Sequence, residues 1–547
     1  MIGLQTKSIA AILSRIDSKG YKAYKKLLNA KEVVDGIRIE IVRVQGDPYA
    51  PPSVVKVVSK IRAPEWALEE PVPLADWLTR RLYRILQRFS RKIGDGRSGY
   101  LGIPRPGPII IRRSSLEIVR DTVIARIYVG LPSKRRRILG DYAEELLLEK
   151  IPKAFKEALN VDYMLDDLRK HVYTWKMQEY IRMKLPDLGL VSFIGDGSIL
   201  PRKCGGCEEP LPNAVPFESP PSLRITITLP WGDEVTGMGI RKGITVVAGS
   251  AFHGKSTLLE AIAAGVWNHI PGDGREKVVT IRETMYVRAE DGRYVSCVDI
   301  SSMIHNIPGQ SNTSCFTTRD ASGATSIAAS IQEAIEVGAK LILLDEDTAA
   351  TNILYIDERA KDITKWHTIT PLSSLARSMK KKGVSLIMVS SGSLPLLAIA
   401  DTIIVMEAYK PIDKTTEAKG LVKQHNVEVH EKKYTLPFKR KIVEVRSLEK
   451  PKIRGKSLED KSLPASIPLS NNIHLVEETQ LYTLLAVVKR IQNYKNLSID
   501  HIVRLLEDQI LKSPSNFGDH NPKLGEVRAL DIAYLLNRLP IVKFTNT

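Results

Sequence analysis

Eight consecutive residues, Gly249, Ser250, Ala251, Phe252, His253, Gly254, Lys255 and Ser256, have the types and spacing of a phosphate-binding loop. Gly249 and Gly254 free the backbone to close its N–H groups around an anion. Lys255 then reaches the outer phosphates of a nucleotide, and Ser256 offers a hydroxyl to Mg²⁺. Ser250, Phe252, His253 and Thr257 complete the expected lining of that site. Further along, Leu341, Ile342, Leu343 and Leu344 run into Asp345 and Glu346. Such an aliphatic run reads as a buried strand delivering a metal-binding carboxylate at its end. Glu346, one residue on, is placed to orient or deprotonate a water that attacks the γ-phosphate. Asp347 is a third acid with no assigned role. The expected chemistry is hydrolysis of ATP, with Glu346, Lys255 and, further along the chain, Ser391 as catalytic groups and with Ser256 and Asp345 on Mg²⁺.

Elements must hold these groups in place. The apolar run 244–248 suits a buried strand and 257–266 has helical composition, so strand, loop and helix follow in the required order. At 320–326 the chain reads Asp-Ala-Ser-Gly-Ala-Thr-Ser ahead of the helical-looking 327–337. A turn of small residues at a helix start, here Ser322, Gly323 and Ala324, presents backbone N–H groups and the positive helix end to an anion. Another buried strand is expected at 384–389, leading to Ser390, Ser391 and Gly392, with Ala400 and Asp401 before a further apolar run at 402–406.

In this order the motifs resemble those of ATP-binding-cassette ATPases. The turn at Ser322 looks like their signature motif, which binds the γ-phosphate of ATP held by a partner subunit. Ser391 stands where transport-type cassettes carry a switch histidine; a serine donates one hydrogen bond there, which leaves the speed of hydrolysis open. The chain resembles, more narrowly, the ATPases of the ABC class found widely in archaea and bacteria. That resemblance rests on Val-Gln-Gly-Asp-Pro-Tyr-Ala-Pro at 44–51, Asp-Gly-Ser-Ile-Leu-Pro-Arg at 196–202 and His-Ile-Pro-Gly-Asp-Gly-Arg-Glu at 269–276. Asp-Glu-Asp-Thr-Ala-Ala-Thr-Asn at 345–352 and Leu-Leu-Asn-Arg-Leu at 535–539 complete it, so it covers most of the chain. It implies a homodimer with composite ATP sites, with Asn352 in the dimer-facing loop. One relative is associated with mitochondrial RNA editing and binds RNA, which implies a nucleic-acid partner here. The superfamily's glutamine between loop and signature has two candidate counterparts, Asp299 and Gln310.

The formal charge of +18 is unevenly spread: 1–220 carry 38 basic and 26 acidic side chains, 221–406 carry 18 and 19, and 407–547 carry 24 and 17. A neutral core between basic flanks points to a polyanion, most often nucleic acid. The densest element is 77–92, where Leu78, Leu82, Ile85 and Phe89 recur at helical spacing and Arg80, Arg84, Arg88 and Arg91 are expected on another face. Guanidinium groups rising about 5–6 Å per turn suit a phosphate backbone. Arg135 and Arg136 lie in a second cluster, 134–137. A solvated helix face has the same composition, and that reading stays open.

The expected fold class is α/β: a basic α+β domain at 1–204, a Gly- and Pro-bearing linker at 205–221, an ABC-type P-loop ATPase domain at 222–445, a linker at 446–470 and a mainly helical domain at 471–547. Trp231 either stacks on adenine or fills a core rim. No stretch approaches the roughly 18 uncharged apolar residues of a membrane helix, and 1–20 lacks a signal-peptide pattern; a cytoplasmic protein without a membrane partner is expected. Cys204 and Cys207 have no second pair nearby and are expected as free thiols. The functional expectation is an ATP-driven homodimeric clamp on RNA. The alternative is a slow, nucleotide-gated scaffold that binds protein or ribosome. Basic flanks of this size and the missing histidine argue against the motor half of a transporter.

Overall fold

A computed structural model describes residues 8–309, 312–356, 368–518 and 520–546; Gln310 lies outside the described residues. The chain forms two compact units. One comprises Met1–Trp175, Glu477–Thr483 and Gln509–Glu526, the other Lys176–Val476, Leu484–Asp508 and Val527–Thr547.

In the first unit, alternation of branched and polar residues builds an antiparallel sheet. Along Ile37–Arg43 the side chains of Ile37, Ile39 and Ile41 are buried and that of Arg38 is exposed. The strand order is Lys31–Val34, Ile37–Arg43, Ser53–Lys60, Thr122–Val129, Leu101–Gly102, with Leu116–Val119 also paired to Thr122–Val129. The helix Pro71–Phe89 starts on a proline and buries Leu74, Leu78, Leu82, Ile85 and Leu86. It also buries Asp76, which accepts hydrogen bonds from Arg80 (2.7 Å) and Arg113. Arg113 reaches on to Glu477, donating from Nε at 2.9 Å. Burial opposes ionisation of Asp76, but Arg80, Arg113 and His171 outweigh it and hold its carboxyl far below the ordinary range.

Two larger sheets lie in the second unit. One is six-stranded in the order Thr284–Val287, Leu341–Asp345, Ser385–Val389, Ile244–Ala248, Thr402–Glu407, Lys410–Asp413, parallel except for the last pair. Ile244–Ala248, Leu341–Asp345 and Ser385–Val389 are buried throughout, as parallel strands covered on both faces must be. The other, antiparallel, runs Arg224–Thr228, Glu234–Arg241, Leu190–Gly195, Val278–Thr280.

The division of the chain differs from the sequence expectation. Leu190–Gly195 is an inner strand of the second unit's antiparallel sheet, so that unit begins at Lys176 instead of near 222. The Gly- and Pro-bearing stretch at 205–221 is an excursion within that unit, fastened where Asp196 accepts from Ser219 N–H at 2.6 Å and where Phe217 is buried. The stretch at 446–470 contains three short paired strands, Lys452–Arg454, Ser457–Glu459 and Ile467–Pro468. The helices expected near the end are present as Glu478–Arg490, Ile499–Lys512 and Ala529–Arg538. Residues of the first two are divided between the units, Ala529–Arg538 belongs to the second, and Val542–Asn546 adds a strand paired with Arg440–Val445. The expectation of free thiols is corrected as well. Cys204 pairs with Cys207 across 5.0 Å between Cα atoms, within bridging distance, and Cys297 pairs with Cys315. Among the described residues no helix is long and apolar enough to cross a membrane.

Candidate nucleotide site

The phosphate-binding loop leaves the strand Ile244–Ala248, flanked in the sheet by Ser385–Val389 and Thr402–Glu407. Gly249 has φ +132°, and a Cβ there would lie 2.6 Å from the Met406 carbonyl oxygen, so only glycine fits. Gly254, at φ +94°, precedes the helix Lys255–Ala264, which begins two residues earlier than its composition suggested. Lys255 bends back over the loop, its Nζ donating to the Ser250 carbonyl at 2.9 Å. Ser256 and Thr257 occupy the first helical turn, where backbone N–H groups have no intrahelical acceptor.

Two loop residues behave differently from the rest. Phe252 is 94% exposed with φ +67°. His253 ties the loop to the neighbouring turn: its Nδ1 accepts from Ala408 N–H at 3.0 Å and its carbonyl accepts from Tyr409 N–H at 3.2 Å. Its imidazole is therefore a strut for the loop.

The sheet brings the second half of the site together. Asp345 ends Leu341–Asp345 at 2% exposure, and its Oδ1 accepts from Asp347 N–H at 3.1 Å, which fixes the turn carrying Glu346. Ser385–Val389 runs beside that strand, pairing Asp345 with Val389, and delivers Ser391 to Glu346. Glu346 Oε2 accepts from Ser391 N–H (2.8 Å) and Oγ–H (3.1 Å), while Oε1 accepts from Tyr355 Oη–H (2.8 Å). Burial works against the Glu346 charge, yet the hydrogen bonds from Ser391 and Tyr355 win and hold its carboxyl below the ordinary glutamate range. Burial and the same contact push the Tyr355 phenol up. Nothing in the sequence around Tyr355 marked it; its role appears only once the fold brings it to Glu346.

The donors suit a nucleotide-bound divalent cation. One hydroxyl, Ser256, and one carboxylate, Asp345, are too few for an all-protein cage but match Mg²⁺ shared with phosphate oxygens. Among the described residues no group of three His, Cys, Asp or Glu side chains is gathered as a metal site.

Other expected site residues lie elsewhere. Ser322 caps the helix Gly323–Glu336, its Oγ accepting from Thr325 N–H at 3.3 Å, and it is exposed. A Cβ on Gly323 would lie 3.2 Å from Asp291 Oδ1. Among the described residues no hydrogen bond joins Ser322, Gly323 or Ala324 to the loop. Asn352 is exposed in the short helix Thr351–Leu354. Trp231 donates from Nε1 to Asp233 at 2.9 Å. Asp299 is buried and caps a turn, accepting from Ser301 N–H and Oγ–H.

The expected row of arginines is broken. Arg80 is drawn in against Asp76 and also donates to the Ile109 carbonyl at 2.9 Å. Arg88 pairs with Glu157, and Arg91 lies beyond the helix, which ends at Phe89. Arg84 is exposed. Arg135 and Arg136 form a hairpin tip between Ser133–Lys134 and Arg137–Ile138, both left-handed at φ +54° and +58°. Arg136 N–H donates to Asp95 at 2.9 Å.

Comparison with known proteins gives this geometry its context. The family model "ABC_ATPase: P-loop domain" matches residues 165–441, and "ATPase of the ABC class N-terminal" matches 6–162. An uncharacterized protein of Methanocaldococcus jannaschii is 34% identical over 269 residues, which is 47% of this chain and 58% of that protein, so the chain covers little more than half of the relative's length. Among solved structures, the ATP-binding cassette of an ABC transporter in its ADP conformation is 16% identical, with 37% of this chain and 95% of that one covered and a TM-score of 0.22. The protein cbiO1 from Clostridium perfringens, part of an ABC transporter complex, is 17% identical over 37% and 92%, with a TM-score of 0.23. The stretch 165–441 takes in half of the chain and every strand that positions Lys255, Asp345, Glu346 and Ser391, and on that match the chain belongs to the ABC-class ATPases, whose P-loop domain binds ATP and supports its hydrolysis.

Proposed function

We propose that this chain is a Mg²⁺-dependent ATPase that works in the cytoplasm as a homodimeric, nucleotide-dependent clamp on nucleic acid, with RNA as the favoured class. The observation that carries the catalytic part is the carboxylate of Glu346, held at the end of a buried strand by three hydrogen bonds from Ser391 and Tyr355. A carboxylate restrained in this way is ready to orient water without reorganising. Bound Mg²⁺ supplies charge compensation on the phosphoryl oxygens. Gly249–Ser256 backbone N–H groups cradle phosphate, Lys255 adds a cation, and Ser256 and Asp345 hold the metal. The turn at Ser322, Gly323 and Ala324, with Ser322 exposed, completes the site of a second copy, and Asn352 faces that copy. The basic excess of 1–220 supplies the grip on phosphate, with Arg84, Arg135 and Arg136 as exposed contacts.

One observation favours a second reading. Both donors of Ser391 are engaged on Glu346, where a switch histidine would serve the γ-phosphate, and this suits a slow, nucleotide-gated scaffold. The test is steady-state ATP hydrolysis with and without RNA, single-stranded DNA and duplex DNA. Stimulation by RNA, with turnover reduced on the order of a hundredfold in Glu346→Gln, is expected. Slow turnover indifferent to all three polymers would select the scaffold.

A further inference from the structure

The helix that begins behind Ser322 buries polar side chains along one face. Ser326, Ser330 and Glu333 recur at i, i+4 and i+7 and are at most 5% exposed. Glu333 pairs with Arg293 at 2.9 Å, and Arg293 also donates to Ser330 Oγ and to the Ser326 carbonyl, each at 3.2 Å. Arg538, the last residue of the helix Ala529–Arg538, donates to Ser330 Oγ at 3.2 Å and from Nε to Glu290 Oε2 at 2.9 Å. Tyr534, on the same helix, donates to Glu290 at 3.0 Å. Burial opposes the Glu290 charge, but Arg538 outweighs it and holds the carboxyl at about 2. A cavity of about 10 Å³, room for one water, is bounded by Ser330, Glu333, Tyr534, Asn537 and Arg538.

This seam touches both ends of the chemistry. Glu290 N–H donates to Ser326 Oγ (2.9 Å), and Ser326 Oγ–H donates to the Gly323 carbonyl (2.8 Å), in the turn that carries Ser322. The preceding residue, Ala289, donates its N–H to the Thr348 carbonyl (2.9 Å), in the turn that carries Glu346. Buried ion pairs contribute little net stability compared with apolar side chains of similar volume, whereas their fixed geometry defines one arrangement of the elements they join.

We infer that Arg538 and Glu290 are positioning residues: together they set the orientation of the Ser322 turn, so that the helix Ala529–Arg538 governs ATP turnover without touching nucleotide. This rests on the proposed role of Ser322 at a second copy's ATP. The experiment is a double-mutant cycle on kcat in the full-length chain, with KM for ATP measured alongside. Arg538→Gln is expected to lower kcat on the order of tenfold while KM stays within about twofold. In a Ser322→Ala background it is expected to add no further loss, because both changes disable one turn. Losses that multiply would overturn the inference. Should Arg538→Gln fail to fold, Ser330→Ala, which removes only the hydroxyl shared by Arg293 and Arg538, is read in the same cycle with the same criterion. A slow Ser322→Ala together with full-rate Arg538→Gln or Ser330→Ala overturns the inference alone. A full-rate Ser322→Ala overturns the proposed composite site and the inference with it.

Discussion

If Glu346 orients water as a carboxylate, as proposed, turnover is expected to be lost as pH falls through its pKa. Its pKa lies below the ordinary value, and the acidic limb of the pH–rate profile is therefore displaced to lower pH. Tyr355→Phe removes one of the hydrogen bonds that favour the charged form. The limb is expected to move up in pH, with turnover near neutrality changing little; a limb that stays in place would show that Glu346 protonation does not set it. Lys255→Ala is expected to abolish turnover altogether. Lys255, Asp345 and Glu346 were legible because each stands at a fixed offset from a glycine turn or an aliphatic run. Tyr355 and the turn at Ala408 and Tyr409 were not, since only the folded chain brings them to Glu346 and His253. His253 shows the limit of a motif: it lies inside the loop pattern, yet its ring serves the neighbouring turn.

Among the elements, the helix Pro71–Phe89 separates what periodicity can show from what it cannot. The apolar stripe through Leu78, Leu82 and Ile85 placed the buried face correctly. The expected arginine face failed at Arg80 because Asp76, four residues earlier, captures it, and that i, i+4 partner was visible in the sequence. It failed at Arg91 because the helix stops at Phe89. Arg80→Glu is thus expected to lower stability by about 3–5 kcal/mol by leaving two acids together in the interior, read as a drop in thermal midpoint. Arg135→Glu with Arg136→Glu, at an exposed hairpin tip, is expected to change stability by no more than about 0.5 kcal/mol; if the proposed grip on RNA holds, the same pair is expected to weaken RNA binding and flatten its salt dependence by about two counterions. The disulfides follow loop length. Breaking Cys297–Cys315, separated by 18 residues, is expected to cost about 3 kcal/mol against about 2 for Cys204–Cys207, separated by 3, by calorimetry with and without reductant.

For the whole molecule, the order of strands around the P-loop followed from the motifs, but the extent of the second unit did not. The apolar run in Leu190–Gly195 lies before a Gly- and Pro-bearing stretch that mimics a domain linker, and only pairing with Glu234–Arg241 and Val278–Thr280 assigns it. If the composite site holds, Glu346→Gln with ATP is expected to shift the chain from monomer to dimer in light scattering, and Ser322→Ala is expected to prevent the shift. The first unit has a further consequence, because it is assembled from Met1–Trp175 and two pieces drawn from beyond residue 476. As the chain leaves the ribosome, Arg113 waits through 364 residues of synthesis for Glu477, its buried partner. The N-terminal unit therefore closes only after Glu526 has been made, and a fragment cut at Trp175 should be a client for chaperones instead of a free-standing domain.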